Sequence, residues 1–133
     1  MPRRILIIDN EPHICESLKD RLESKGYEAI IAHDGQTALA LIALEAKQCP
    51  IGGVLLDVHM PVMDGMEVLR ELRARYPDLP ILMMSAGLDR GVLDEAVRMG
   101  ASEYVLKPFD TALLSQMLDK LFPFEGNDGM PRS

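Results

Sequence analysis

The sequence predicts an α/β domain in which five short strands alternate with five helices about a parallel sheet. Runs of aliphatic residues at 5–8, 29–32, 54–56, 81–84 and 104–106 each have the length of a strand, and longer segments of helical period separate them. Within the runs the apolar residues are consecutive, as in parallel strands buried on both faces. Right-handed crossovers then lay the helices over both faces of the sheet.

After the first run, Ile14, Cys15, Leu18 and Leu22 recur at helical spacing up to Gly26, which suits the left-handed residue just beyond a helix end. A second helix is expected over about residues 36–46. Asp64 followed by Glu67 reads as a capping box, opening a helix that carries Met66, Leu69 and Leu72 and stops before Pro77. The fourth helix is marked by Val92, Leu93, Ala96 and Val97 and closed by Gly100. Asp110 is placed to cap the last, whose Leu113, Leu114, Met117, Leu118 and Leu121 form one apolar face ending at Pro123. Residues 1–124 thus make one domain, and 125–133 read as a flexible tail or linker stub.

Composition narrows the function classes. The chain has 133 residues, is 47% apolar and carries a net charge of −7, with no basic cluster beyond Arg3 and Arg4. Neither nucleic acid nor an anionic membrane surface is an expected partner. Cys15 and Cys49 lack metal-type spacing and read as reduced structural thiols, which fits a cytoplasmic setting. The first apolar run is too short for a signal-peptide core, and no segment approaches the ~20 apolar residues of a membrane span.

The chemistry is expected just after the strands, because open parallel sheets bind ligands at the carboxyl ends of their strands. There the chain places Asp9, Asn10 and Glu11 after the first run, Asp57 after the third, Ser85 after the fourth and Lys107 after the fifth. Singly, a strand-end Asp or Ser is commonly a turn residue and a Lys a solvated charge. Chance would scatter them over both sheet edges. Two neighbouring aspartates repel unless a cation stands between them, and hard oxygen donors without a His or Cys cluster favour magnesium. Lys107 supplies a compact positive charge for a phosphate, and Ser85 a hydroxyl donor.

The segments Ile-Leu-Ile-Ile-Asp-Asn-Glu-Pro at 5–12, Leu-Leu-Asp-Val-His-Met-Pro-Val-Met-Asp-Gly at 55–65, Met-Ser-Ala at 84–86 and Tyr-Val-Leu-Lys-Pro-Phe at 104–109 resemble, in order and spacing, the motifs of bacterial response-regulator receiver domains. The resemblance covers the chain to about Phe124 and implies a flavodoxin-like (βα)5 fold with strand order 2-1-3-4-5. It implies Asp57 as phosphoryl acceptor from a sensor histidine kinase or histidine phosphotransfer protein, so the domain is not expected to be an enzyme. Magnesium would be held by Asp9, Asp57 and the backbone carbonyl of His59. Lys107 and Ser85 would contact the phosphoryl group, with a cis Lys107–Pro108 peptide aiming the ammonium. Ser85 and Tyr104 would form the switch, changing the face of helix four, strand five and helix five, through which a homodimer is also implied.

Asn10 departs from the family, which usually has a second acid there. An amide oxygen can ligate the metal but brings no charge, so weaker magnesium binding is expected. His13, His33 and the side chain of His59 read as surface groups. Three other functions compete: a degenerate receiver acting as a phosphorylation-independent interaction module, a haloacid-dehalogenase-type phosphatase, and a flavodoxin-like electron carrier. The phosphatase wants an acid where this chain has His59. The flavin carrier needs a phosphate loop where it has Asp9-Asn10-Glu11-Pro12.

Overall fold

The computed structural model describes residues 4–46, 50–60, 62–85, 90–107 and 111–122. The strands are β1 (Arg4–Ile8), β2 (Glu28–Ala32), β3 (Gly53–Asp57), β4 (Ile81–Ser85) and β5 (Glu103–Leu106). They alternate with α1 (Pro12–Ser24), α2 (Gly35–Glu45), α3 (Gly65–Arg75), α4 (Arg90–Arg98) and α5 (Thr111–Leu121). All pairings are parallel, in the order β2-β1-β3-β4-β5. No helix among the described residues is long and apolar enough to cross a membrane.

Alternation along the strands divides the core in two. Ile5, Ile7, Leu55, Leu82 and Met84 face α1 and α5, meeting Cys15, Leu18, Leu22, Leu114, Leu118 and Phe122. Leu6, Ile8, Val54, Leu56 and Met83 face α2, α3 and α4, meeting Ile42, Val68, Leu69, Leu72 and Leu93. The three inner strands are buried almost throughout, as their continuous apolar runs predict. The outer two are not: Glu28 of β2 and Leu106 of β5 are exposed, because an edge strand has no neighbour on one side. Two residues expected on buried helical stripes, Val97 and Leu113, are 45% and 46% exposed. Periodicity marked the right helices but made their buried faces too wide.

Local chemistry explains the ends of the helices. Beyond α1 the Gly26 N–H donates to Glu23 O and the Tyr27 N–H to Leu22 O, both at 3.0 Å, with Gly26 at φ 96°. This is a Schellman turn, closed by two buried apolar residues, Leu22 and Tyr27. The same pattern recurs after α4, where Gly100 (φ 113°) donates to Val97 O and Ala101 to Ala96 O. Asp34 caps α2 through the Thr37 N–H at 2.7 Å, and Asp64 with Glu67 forms the expected capping box on α3. The expected cap Asp110, Pro108, Cys49, the helix stop at Pro123 and the tail over 125–133 lie outside the described residues.

Two long-range ties fix the ends of helices, one between α3 and the turn after α4 and one between the end of α5 and the turn before β2. The Arg73 guanidinium donates to Gly100 O from Nε (3.1 Å) and Nη2 (2.7 Å), and from Nη1 to the carbonyls of Tyr76 (2.9 Å) and Pro77 (2.8 Å). At the end of α5, fully buried Phe122 packs edge-to-face on Tyr27, with ring centroids 6.5 Å apart. The Tyr27 hydroxyl donates to Phe122 O, and a Cβ on Gly53 would come within 2.5 Å of the Phe122 ring. Phe122→Ala should therefore cost on the order of 3–4 kcal/mol, read as a lower urea midpoint with little change in slope. A loss under about 1 kcal/mol would mean that the domain closes before residue 122.

Candidate functional site

The register of the sheet builds the site. Ile8 pairs with Leu56, so the next residues, Asp9 and Asp57, leave adjacent strands side by side. Ser85 pairs with Leu106, so Lys107 follows at the same edge. Despite their polarity, Asp9, Asp57 and Ser85 are buried, at 0%, 3% and 1% exposure.

Lys107 binds the cluster together. Its Nζ lies 2.7 Å from Asp9 Oδ2, 3.3 Å from Glu11 Oε1 and 3.7 Å from Asp57 Oδ1. Its backbone N–H donates to Ser85 O at 2.7 Å, fixing the chain at the edge of β4. Burial opposes its charge, but the carboxylates of Asp9, Asp57 and Glu11 outweigh that, holding the ammonium above its ordinary pKa. Asp57 is pushed the other way for a carboxylic acid, up to about 6, by burial and then by the charge of Asp9. Lys107 and the His59 N–H, which donates to Asp57 Oδ1 at 3.2 Å, offset only part of that shift.

The backbone around Asp9 is held from three directions. The Asp9 N–H donates to Ala32 O, extending the ladder one residue past β1. Its carbonyl, beyond the ladder, accepts from Cys15 Sγ at 3.2 Å and lies 3.2 Å from His33 Nδ1. The Cys15 thiol is pushed up to about 11 by burial and then by Asp9, so it is a structural donor and not a nucleophile. His33 is exposed as expected, yet its ring supports the site, a contact no local pattern announces.

The β3–α3 connection folds back over Asp57. A Cβ on Gly65 would sit 2.2 Å from Asp57 O, so only glycine lets α3 begin there. In the same connection Val62 is fully exposed at φ 68°, a strained conformation for a β-branched side chain. Of the other expected residues, Tyr104 is half-buried against the α2–α3–α4 core and Asn10 and His59 are exposed. The expected cis Lys107–Pro108 peptide lies outside the described residues. Glu11, expected at the same strand end as Asp9, is in contact with Lys107. Among the described residues no group of three or more His, Cys, Asp or Glu side chains is spaced to hold a metal ion.

The fold and site define a class of α/β domain with two buried carboxylates and a lysine at the carboxyl edge of a five-stranded parallel sheet, and comparison with known proteins gives the family. The sequence model of the response regulator receiver domain matches residues 5–119. The chain belongs to that family, the receiver domains of two-component systems. It is 40% identical to the response regulator MprA of Mycolicibacterium vanbaalenii, over 100% of this chain and 56% of that protein. It is 37% identical to the response regulator protein FleR of Pseudomonas aeruginosa, over 89% of this chain and 24% of that one. The chain thus spans about half, or a quarter, of the length of these relatives. Its fold superposes on the chemotaxis protein CheY4 of Vibrio cholerae with a TM-score of 0.81 and 29% identity, over 91% of this chain and 99% of that one.

Asp57 makes stability depend on pH. Its pKa of about 6 in the fold exceeds the ordinary 3.8, so between those values the folded protein keeps a proton that the unfolded chain has lost. Without bound metal, its contribution therefore worsens as pH rises through about 6, and is absent below about 4. Asp57→Asn should stabilise the metal-free protein by on the order of 2 kcal/mol at pH 7.5, with the gain shrinking towards pH 4. Melting curves of both proteins across that range check it, and a gain that does not vary with pH would assign the effect to packing.

Proposed function

We propose that Asp57 accepts a phosphoryl group from a phosphohistidine on a sensor histidine kinase or a histidine phosphotransfer protein, in a magnesium-dependent reaction. The observation that carries this reading is the buried Asp9–Lys107–Asp57 cluster, with Lys107 Nζ 2.7 Å from one carboxylate and 3.7 Å from the other. An ionised Asp57 oxygen attacks phosphorus, a new O–P bond forms, and the P–N bond breaks with its electron pair returning to the imidazole. Lys107, held between the two carboxylates, is positioned to pair with the phosphoryl oxygens. Ser85 lies buried at the same edge and offers a hydroxyl.

The donor set fits magnesium. Asp9 and Asp57 are hard oxygen donors, both nearly inaccessible, and the pKa of Asp57 is raised first by burial and then by the charge of Asp9, which a bound cation would offset. Asp9, Asp57 and the His59 carbonyl would hold the ion, with Asn10 contributing at most a neutral oxygen. When bound, it would offset the charge of the carboxylates and of the phosphoryl group. No turnover chemistry is proposed, since the product stays on the protein.

The output surface we propose is the face of α4, β5 and α5. Val97, Leu106 and Leu113 are 45%, 39% and 46% exposed, one large apolar side chain on each of its three elements. The charge change at Asp57 would reach it through Ser85, at the end of β4, and Tyr104, on β5. The same surface would serve a partner protein or a second copy of the chain. We place no nucleic acid or membrane contact on this domain.

Incubation with acetyl phosphate and Mg²⁺ should add one phosphoryl mass that hydroxylamine removes, and Asp57→Asn should abolish it. Labelling that persists in the variant would move the acceptor elsewhere, and a wild-type chain that takes none would favour a degenerate interaction module. Beryllofluoride, a phosphoryl mimic, should change self-association in sedimentation, and Leu106→Ser with Leu113→Ser should suppress that change. An identical response in the double variant would remove the face from the proposal.

A further inference from the structure

Glu11 occupies the N-cap of α1, yet its side chain makes no capping hydrogen bond, and the first turn of the helix contains no acid. Ser, Thr, Asp and Asn are the usual residues there, because a short side chain reaches back to the free amides. The Glu11 carboxylate instead lies 3.3 Å from Lys107 Nζ, across 96 residues of sequence. Its own N–H donates to Asp9 Oδ1 at 2.9 Å, which anchors its backbone beside the site. The neighbouring Asn10 is exposed and carries no charge.

We propose that Glu11 is a positioning residue: the resting counter-ion of Lys107, supplying at the mouth of the site an anionic charge that Asn10 lacks, and yielding the ammonium when an oxyanion arrives at Asp57. The exchange rests on the phosphoryl-accepting function proposed above, whereas the resting contact does not. The asymmetry of the contacts makes the exchange feasible. Asp9 is fully buried and grips Nζ at 2.7 Å, but the Glu11 side chain is 47% exposed and farther away, so its partner can be replaced by water. Lys107 can then turn to a new anion while keeping Asp9. Glu11 thus competes with the phosphoryl group for one ammonium.

Two variants separate charge from reach. Glu11→Gln removes the charge at nearly constant shape. Glu11→Asp keeps it but shortens the arm, returning the carboxylate to the amides of α1. Reductive methylation of the metal-free protein, read by peptide mass, should label Lys107 several-fold faster in both variants and leave Lys19 and Lys120 unchanged. Glu11→Asp should in addition raise the melting temperature through the regained cap. With saturating Mg²⁺, beryllofluoride should bind Glu11→Gln about 2–5-fold more tightly than wild type, the size expected when a half-exposed ion pair no longer competes.

Unchanged labelling of Lys107 in Glu11→Gln, or wild-type labelling in Glu11→Asp, would overturn the counter-ion assignment. Equal or weaker beryllofluoride binding in Glu11→Gln would overturn the exchange and make Glu11 a support for the bound cation. If the wild-type chain takes neither beryllofluoride nor phosphate, the phosphoryl-accepting reading and the exchange built on it fail together. Labelling then decides the resting contact by itself.

Discussion

Two carboxylates buried side by side are the constraint around which this domain is organised. Parallel pairing of β1 with β3 brings Asp9 and Asp57 together at one sheet edge, where neither has enough water to screen the other. An arrangement of this kind persists only with positive charge close by. The chain supplies it from β5, two strands away from β3, so the site is complete only when the whole sheet is in register. Core packing and site electrostatics are consequently one problem: a slipped β4 or β5 would carry Lys107 away and leave the aspartates facing each other uncompensated.

That dependence explains why the loops are so tightly specified. Gly65 is required because α3 must begin against the carbonyl of Asp57 itself. The carbonyl of Asp9, past the end of the ladder, relies on side chains from α1 and from the residue after β2. The strain at Val62 sits in the same β3–α3 connection, and its complete exposure means that no packing contact in this structure compensates for it. Strain retained without packing is more often found near functional sites than elsewhere.

Much of this was legible in the sequence because it is local. The central strands declared themselves by unbroken apolar runs, and both Schellman turns by a glycine after a periodic segment. The Asp64–Glu67 capping box needed only a spacing of three. Asp9, Asp57, Ser85 and Lys107 could be placed at one edge because each closes a strand. What escaped was set by neighbours distant in sequence. Whether Val97, Leu106 or Leu113 is covered depends on what lies beside the sheet edge, and period alone carries no such information. Glu11 could be placed beside Asp9, but nothing local announced its ion pair with Lys107, 96 residues away. Arg73 gave no sign of the three carbonyls it gathers.

Those carbonyls give α4 a fulcrum. Because Arg73 grips Gly100 from α3, the C-terminal end of α4 is pinned to a corner of the domain that does not itself carry the site. A rod held at one end can only swing about it. Over the nine residues of α4, roughly 13 Å of helix, a tilt of about 10° displaces the far end by roughly 2 Å and the pinned end hardly at all. Val97, one position from the helix terminus, is then a stationary handhold. The leverage lies at the opposite end, which follows β4 and its terminal Ser85. On the output surface proposed above, a protein gripping α4 would register such a tilt mainly at that tip and rest its hold on the fixed end.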